Sequence, residues 1–186
     1  MNIIGGEKRG SKLATCSSKA VRPTAQRTRE ALFNILQGGR LSLSLRGAIV
    51  IDLFAGTGAI GLEALSRGAT SCVFVEQDQD ALQTLQANIS KLKLEYCAHI
   101  LAKDARQIHS WSRPRANLVF ADPPYDSSLA GEGLLQLVAA DAVVQQAIFV
   151  VETRNTENCQ IGPEFVLADT RIYGIARLNF FTLAHR

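Results

Sequence analysis

No stretch of this sequence carries the roughly 20 consecutive apolar residues of a membrane-spanning helix. The first ten residues, MNIIGGEKRG, hold no apolar core of signal-peptide length. The expected location is therefore the cytoplasm, with no membrane partner. Cysteine is sparse: Cys16, Cys72, Cys97 and Cys159 are scattered, with no C-x-x-C pair. That spacing argues against a metal site or a disulfide framework and for reduced, buried thiols. No internal repeat or low-complexity run is present. Proline is scarce, five residues in all, yet two of the five stand side by side at Pro123 and Pro124.

What is present begins with uneven charge. The net charge of the 186 residues is only +3. Residues 1–46 hold nine basic residues against two acidic ones, +7, which leaves −4 on the remainder. A basic arm on a mildly acidic body points to a polyanionic partner, most often nucleic acid. Lys8, Arg9, Lys12 and Arg22 are the candidate phosphate contacts. A solvated, mixed-charge extension accounts for the charge equally well.

Residues 2–15 read as a short hairpin with turn glycines at Gly5, Gly6 and Gly10. A loop leads to a helix over 25–36, with Thr24 as a possible N-cap. From residue 48 strands and helices alternate. Strands are expected at 48–54, 71–76, 97–102, 116–121 and 147–152, with helices at 59–67 and 80–91, a brief helix after 102, and part of a helix at 133–140. Two more strands, 165–173 and 176–183, close the chain as a hairpin. Strands apolar on both faces that alternate with helices make a mostly parallel α/β sheet covered on both sides. The expected division is 1–24 as hairpin and basic arm and 25–186 as one compact unit. Ligands of such sheets bind beyond the carboxyl ends of the strands.

The candidate motifs fall at those ends. In DLFAGTGAIGLEAL (52–65), Gly56 and Gly58 let the backbone approach a ligand. With Gly61 they also fit the G-x-G-x-x-G of dinucleotide sites. Asp52 argues against a pyrophosphate at this turn and for a cationic ligand such as S-adenosylmethionine. Glu76, ending the next strand 20 residues after Gly56, is placed to accept hydrogen bonds from ribose hydroxyls. Asp104 past the third strand can accept from an adenine amine while the Ala105 N–H donates to a ring nitrogen, although an N-cap explains Asp104 as well.

The paired prolines belong to ADPPYD (121–126), which ends an apolar strand. An exocyclic amine on a nucleobase is a poor nucleophile, because its lone pair is delocalised into the ring. The Asp122 carboxylate and the Pro123 carbonyl can accept its two N–H bonds and draw the nitrogen toward a tetrahedral shape. The stiff prolines would fix that carbonyl in advance. Tyr125 can stack on an extruded base. A plain turn is the competing account of the tetrapeptide.

These residues resemble the bacterial small-subunit ribosomal RNA guanine-N2 methyltransferases, class I enzymes dependent on S-adenosylmethionine. The likeness rests on IIGGEKRGSKL, RPTAQRTREALFNIL (22–36), DLFAGTGAIGLEALSRGA (52–69), VEQD, DPPY and YGIARLNFF. It implies a Rossmann-like class I methyltransferase fold with an antiparallel C-terminal hairpin and a small N-terminal β-hairpin extension. It implies that Asp52, Gly56, Gly58, Glu76 and Asp104 hold S-adenosylmethionine, to which the motif past the third strand adds the Ala105 N–H. Thr24 and Arg27 would reach its methionine carboxylate, and Asp122, Pro123 and Tyr125 would hold a guanine. The implied partner is ribosomal RNA or an assembling small subunit, met by a monomer without a metal. Asn2 and Gln26 depart from the family's usual residues. A DNA adenine-N6 or cytosine-N4 methyltransferase, an NAD-dependent oxidoreductase and a non-catalytic RNA-binding assembly protein are the rival readings.

Overall fold

Strands that are apolar on both faces need cover on both, and the order of elements supplies it. The computed structural model describes residues 1–15, 23–38, 43–123, 127–157, 159 and 161–184, with the side chains of 23–25 and 127 left aside. Helix α1 (Pro23–Gly38) precedes an alternation of β1 (Ile49–Leu53), α2 (Ala59–Ser66), β2 (Ser71–Glu76), α3 (Gln79–Leu92) and β3 (Ala98–Ala102). A 3-10 turn (Ala105–Gln107), β4 (Ala116–Ala121), α4 (Ser127–Ala139) and β5 (Val143–Arg154) follow, and β6 (Phe165–Tyr173) and β7 (Ala176–Leu183) end the chain.

The seven strands lie in the order β3-β2-β1-β4-β5-β7-β6. The first five are parallel, while β7 runs antiparallel to both β5 and β6. Successive residues of a strand point to opposite faces, and the core divides accordingly. Val50, Phe74, Phe120 and Val150 face α1, α2, α3 and the N-terminal segment. Ile51, Val73, Val119 and Val151 face α4 and the 3-10 turn. This is the mixed α/β sheet with an antiparallel C-terminal hairpin that the alternation predicts.

The helix expected over 25–36 begins at Pro23. Proline's fixed φ suits the first helical position, where its missing N–H costs nothing. Thr24 therefore lies inside the first turn and is not the cap. Arg22, Cys16 and Tyr125 lie outside the described residues.

The N-terminal residues form a bridged loop, Asn2 opposite Lys12, whose Ile3 and Leu13 are buried in the α1–α3 side of the core. Polar anchors hold it there. The backbone N–H groups of Ile4 and Gly5 each donate to the buried Glu63 carboxylate at 2.8 Å. Arg29 of α1 donates to the Asn2 carbonyl at 2.6 Å and lies 3.7 Å from Glu63. Gln37, near the far end of α1, accepts from Arg67 just past α2. Helix α1 thus runs from the carboxyl ends of the strands toward their amino ends, and its first turns stand over the strand tips.

Candidate active site

The register sets the site. Val75, Leu53, Ala121 and Val151 stand abreast on β2, β1, β4 and β5. One residue further along come Glu76, Phe54, Asp122 and Glu152. By strand alternation all four belong to the face covered by α1 and α2. Phe54 leaves it: its φ of +70° is uncommon for a bulky residue, and its ring packs with the core of the opposite face. Its departure clears the place between Glu76 and Asp122.

The glycine turn borders that place. Gly56 and Gly58 take φ of +56° and +82°, a region costly for other residues. A Cβ on Gly56 would meet nothing within 4 Å, so this backbone faces open space. A Cβ on Gly58 would lie 2.4 Å from Leu85 Cδ1, and one on Gly61 2.4 Å from the Phe74 ring. Gly58 and Gly61 therefore serve the close packing of α2 on β2 and α3, and Gly56 is the residue beside which a ligand fits. Asn88 of α3 holds the turn from behind, donating to the Thr57 carbonyl and bonding Ala14 in both directions.

Asp52 is buried, and its carboxylate accepts the Gly61 N–H at 2.9 Å. Burial pushes its pKa up to about 7, the Gly61 hydrogen bond opposes this, and the charges of Asp122 and Glu76 add to the rise. The sequence-based expectation had this carboxylate beside a cationic ligand; the structure ties it to the start of α2 and burdens it with two like charges nearby. A cation in the cleft would relieve that burden.

Glu76 spans the mouth of the turn. One oxygen accepts from Gly56 N–H at 2.7 Å, and the other accepts from Gln77 and Asp78 N–H at 2.8 and 2.9 Å. A carboxylate offers about four acceptor positions, so one remains, on the oxygen facing Gly56. Asp104 caps the 3-10 turn through the Arg106 N–H and holds the Arg106 guanidinium at 2.6 Å. These bonds with Arg106 draw its carboxyl below the usual range. Ala105 is buried beside it. Arg27 is exposed in the early turns of α1, at the strand-tip end. Lys8 and Arg9 sit at the opposite end, where the Lys8 N–H donates to Ser66 Oγ at the close of α2.

Sequence reasoning passed over Glu152. It ends the apolar run AIFVVE as Glu76 ends SCVFVE, and that likeness was the available signal. It is half-buried. Burial, and then the charge of Asp122, push its pKa up to about 8. Among the described residues no group of three or more His, Cys, Asp or Glu side chains is arranged to hold a metal.

A family profile described as "Conserved hypothetical protein 95" matches residues 1–182. The chain is 36% identical over 153 residues to Ribosomal RNA small subunit methyltransferase D of Escherichia coli, covering 82% of this chain and 74% of that one. It is 32% identical over 190 residues to YlbH of Bacillus subtilis, covering 97% and 98%. The solved structure of the Escherichia coli protein yhhF superposes with a TM-score of 0.84 at 29% identity, covering 100% of this chain and 99% of that one. A fan of acidic strand tips around a glycine turn, on a sheet that superposes end to end with such relatives, places this chain in the Conserved hypothetical protein 95 family of Rossmann-like methyltransferases.

Proposed function

We propose that the protein transfers a methyl group from S-adenosylmethionine to the exocyclic N2 amine of a guanine in small-subunit ribosomal RNA. The observation that carries this reading is the strand-tip row, in which the Asp122–Pro123 acceptors stand one strand away from the glycine turn, across the place Phe54 vacates. The name of the Escherichia coli relative supports the RNA class.

The residues present suit the cofactor. The open space beside Gly56 admits a nucleoside, the free acceptor of Glu76 suits a ribose hydroxyl, and the charge-burdened Asp52 suits a cation. Asp104 and Ala105 would face the adenine once Arg106 yields part of its hold. Thr24 and Arg27, in the early turns of α1, lie at the strand-tip end where the methionine carboxylate would be. The cofactor would supply an electrophilic methyl on a sulfonium centre. Asp122 and the Pro123 carbonyl would bind the amine's two N–H groups and aim its lone pair, a matter of positioning. Tyr125 would stack on the base.

Lys8 and Arg9 stand at least the length of α2 from this cleft, about 12 Å at 1.5 Å per residue. If they contact phosphates together with Lys12 and Arg22, the RNA runs along the side of the sheet as well as across its tips.

The test is transfer of a labelled methyl group to 16S ribosomal RNA, to small subunits and to duplex DNA, followed by nucleoside analysis. N2-methylguanosine from the RNA or subunit is the expected product. N6-methyladenine or N4-methylcytosine from DNA would replace this reading with the DNA methyltransferase, and no transfer to any substrate would favour a binding role.

A further inference from the structure

The reaction proposed above accounts for Asp122 and Pro123 but leaves their neighbour unused. Glu152 follows Val151, the register partner of Ala121, so it stands beside Asp122 on the adjacent strand and the same face. Adjacent strands are about 4.8 Å apart, the scale of a purine's hydrogen-bonding edge. On the other side of Glu152 its partner on β7 is Leu178, which is buried. Beyond Leu178 the row continues to Arg171 on β6, which is exposed and whose guanidinium lies 3.0 Å from the Asp169 carboxylate. Among the described residues the Glu152 side chain makes no hydrogen bond or ion pair, and the nearest charge acting on it is that of Asp122.

The two sides of Asp122 differ. Toward β1 and β2 lie the glycine turn, Asp52 and Glu76, which the cofactor would occupy. A base whose N2 sits on Asp122 must extend the other way, toward β5. The ring atom next to N2 on the Watson–Crick edge of guanine is N1, which carries a hydrogen, and beyond it is O6.

Resting on the guanine-N2 reading, we propose that Glu152 is a specificity residue whose carboxyl oxygen accepts the N1–H of the target guanine. Among the described residues no donor reaches this half-buried carboxyl between the like charge of Asp122 and the buried Leu178, and N1–H would supply one. Both protonation states can serve: each has an oxygen that accepts N1–H, and the protonated form also donates to O6. With a pKa pushed up to about 8 by burial and Asp122, the carboxyl keeps its proton near neutral pH, so a base can sit there without two charges meeting.

The probe is ribosomal RNA carrying either guanine or 2-aminopurine at the nucleotide the wild type methylates. 2-Aminopurine keeps the N2 amine and lacks both N1–H and O6. Two readouts are taken: single-turnover methyl transfer, and RNA affinity with S-adenosylhomocysteine present. Wild type should favour guanine by about tenfold or more, the scale of a well-made base contact. Glu152→Leu should bring that ratio close to one while S-adenosylmethionine affinity stays within about twofold. Glu152→Gln, whose amide oxygen still accepts N1–H, should keep most of the ratio.

A wild-type ratio near one, a Glu152→Leu variant that retains the wild-type ratio, or a Glu152→Gln variant that loses it as fully as leucine does would each overturn the contact. If leucine disrupts folding, the glutamine variant still decides. Failure of the underlying reading is separable, because it shows as no transfer to guanine N2 by the wild type, and it removes the contact with it.

Discussion

Replacing Asp52 by asparagine should strengthen the fold above neutral pH and weaken the hold on the proposed cofactor. Raising a carboxyl from 3.8 to about 7 costs the folded state about 4 kcal/mol once the group is ionised, at ~1.4 kcal/mol per pH unit. The sign follows from which state releases the proton first. Between about pH 4 and 7 the unfolded chain gives up this proton while the folded chain keeps it, so stability falls across that window, and above it the full cost is present. Asparagine removes the cost and can still accept the Gly61 N–H. It also brings two N–H donors into a buried place, at about 1–3 kcal/mol. The net expectation at pH 8.5 is a gain of about 1–3 kcal/mol, with melting raised by about 2–4 °C per kcal/mol for a chain of this size. Near pH 4.5 the variant should be the less stable of the two, so the two stability curves cross. Calorimetric affinity for S-adenosylmethionine should rise with pH through about 7 in the wild type. In the variant it should be about tenfold weaker and flat over that range. A variant no more stable than wild type at pH 8.5, or one with unchanged affinity, would refute the idea that this carboxylate is kept buried for a cation.

Asp122→Ala should cut single-turnover methyl transfer by ~10²–10³, the usual cost of one preorganised hydrogen-bonding group, with cofactor affinity within several-fold; near-normal rates would mean the amine is held elsewhere. Gly58→Ala should destabilise the fold by about 2–3 kcal/mol, since it combines a left-handed φ with a contact of 2.4 Å to Leu85. Chemical denaturation of Gly56→Ala, which meets open space, should show only about 1 kcal/mol of loss while cofactor binding suffers more. Replacing Lys8 and Arg9 with glutamine should flatten the dependence of log RNA affinity on log salt by about 1.4–1.8, two phosphate contacts' worth; an unchanged slope would return both to a solvated surface.

The parallel part of the sheet is legible because β1, β2, β4 and β5 are apolar on both faces and carry an acid at or beside their tips, and β2, β4, β6 and β7 fall where the pattern puts them. The sequence pattern marks 133–140 as part of a helix, and α4 runs Ser127–Ala139, through Gly131 and Gly133. The structure keeps the helix through them, using the missing side chains for close approach: a Cβ at Gly133 would lie 2.9 Å from Leu53, and one at Gly131 3.2 Å from Ile161. The cofactor turn was visible for the same reason as the sheet, since residue types and spacing are local facts. What stayed hidden depends on neighbours. That Asp52 is buried against α2, that Asp104 is held by Arg106, and that Glu152 stands beside Asp122 all follow from strand order and packing. Local sequence does not carry that order.

The anchoring of the N-terminal segment has a consequence for the timing of synthesis. Ile4 needs Glu63, 59 residues later, and Ala14 needs Asn88, 74 residues later. Residues 1–15 emerge before the residues that receive them and are therefore among the later parts to dock. At 5–20 residues per second it waits about 4–15 s for its receptor to be made. Through that interval Ile3 and Leu13 have no core to enter, and the glycines and charges among them keep the waiting segment soluble. When α3 arrives, one asparagine closes the arm and braces Thr57 together, so the cofactor turn reaches its final support only when the oldest and the newer segments meet.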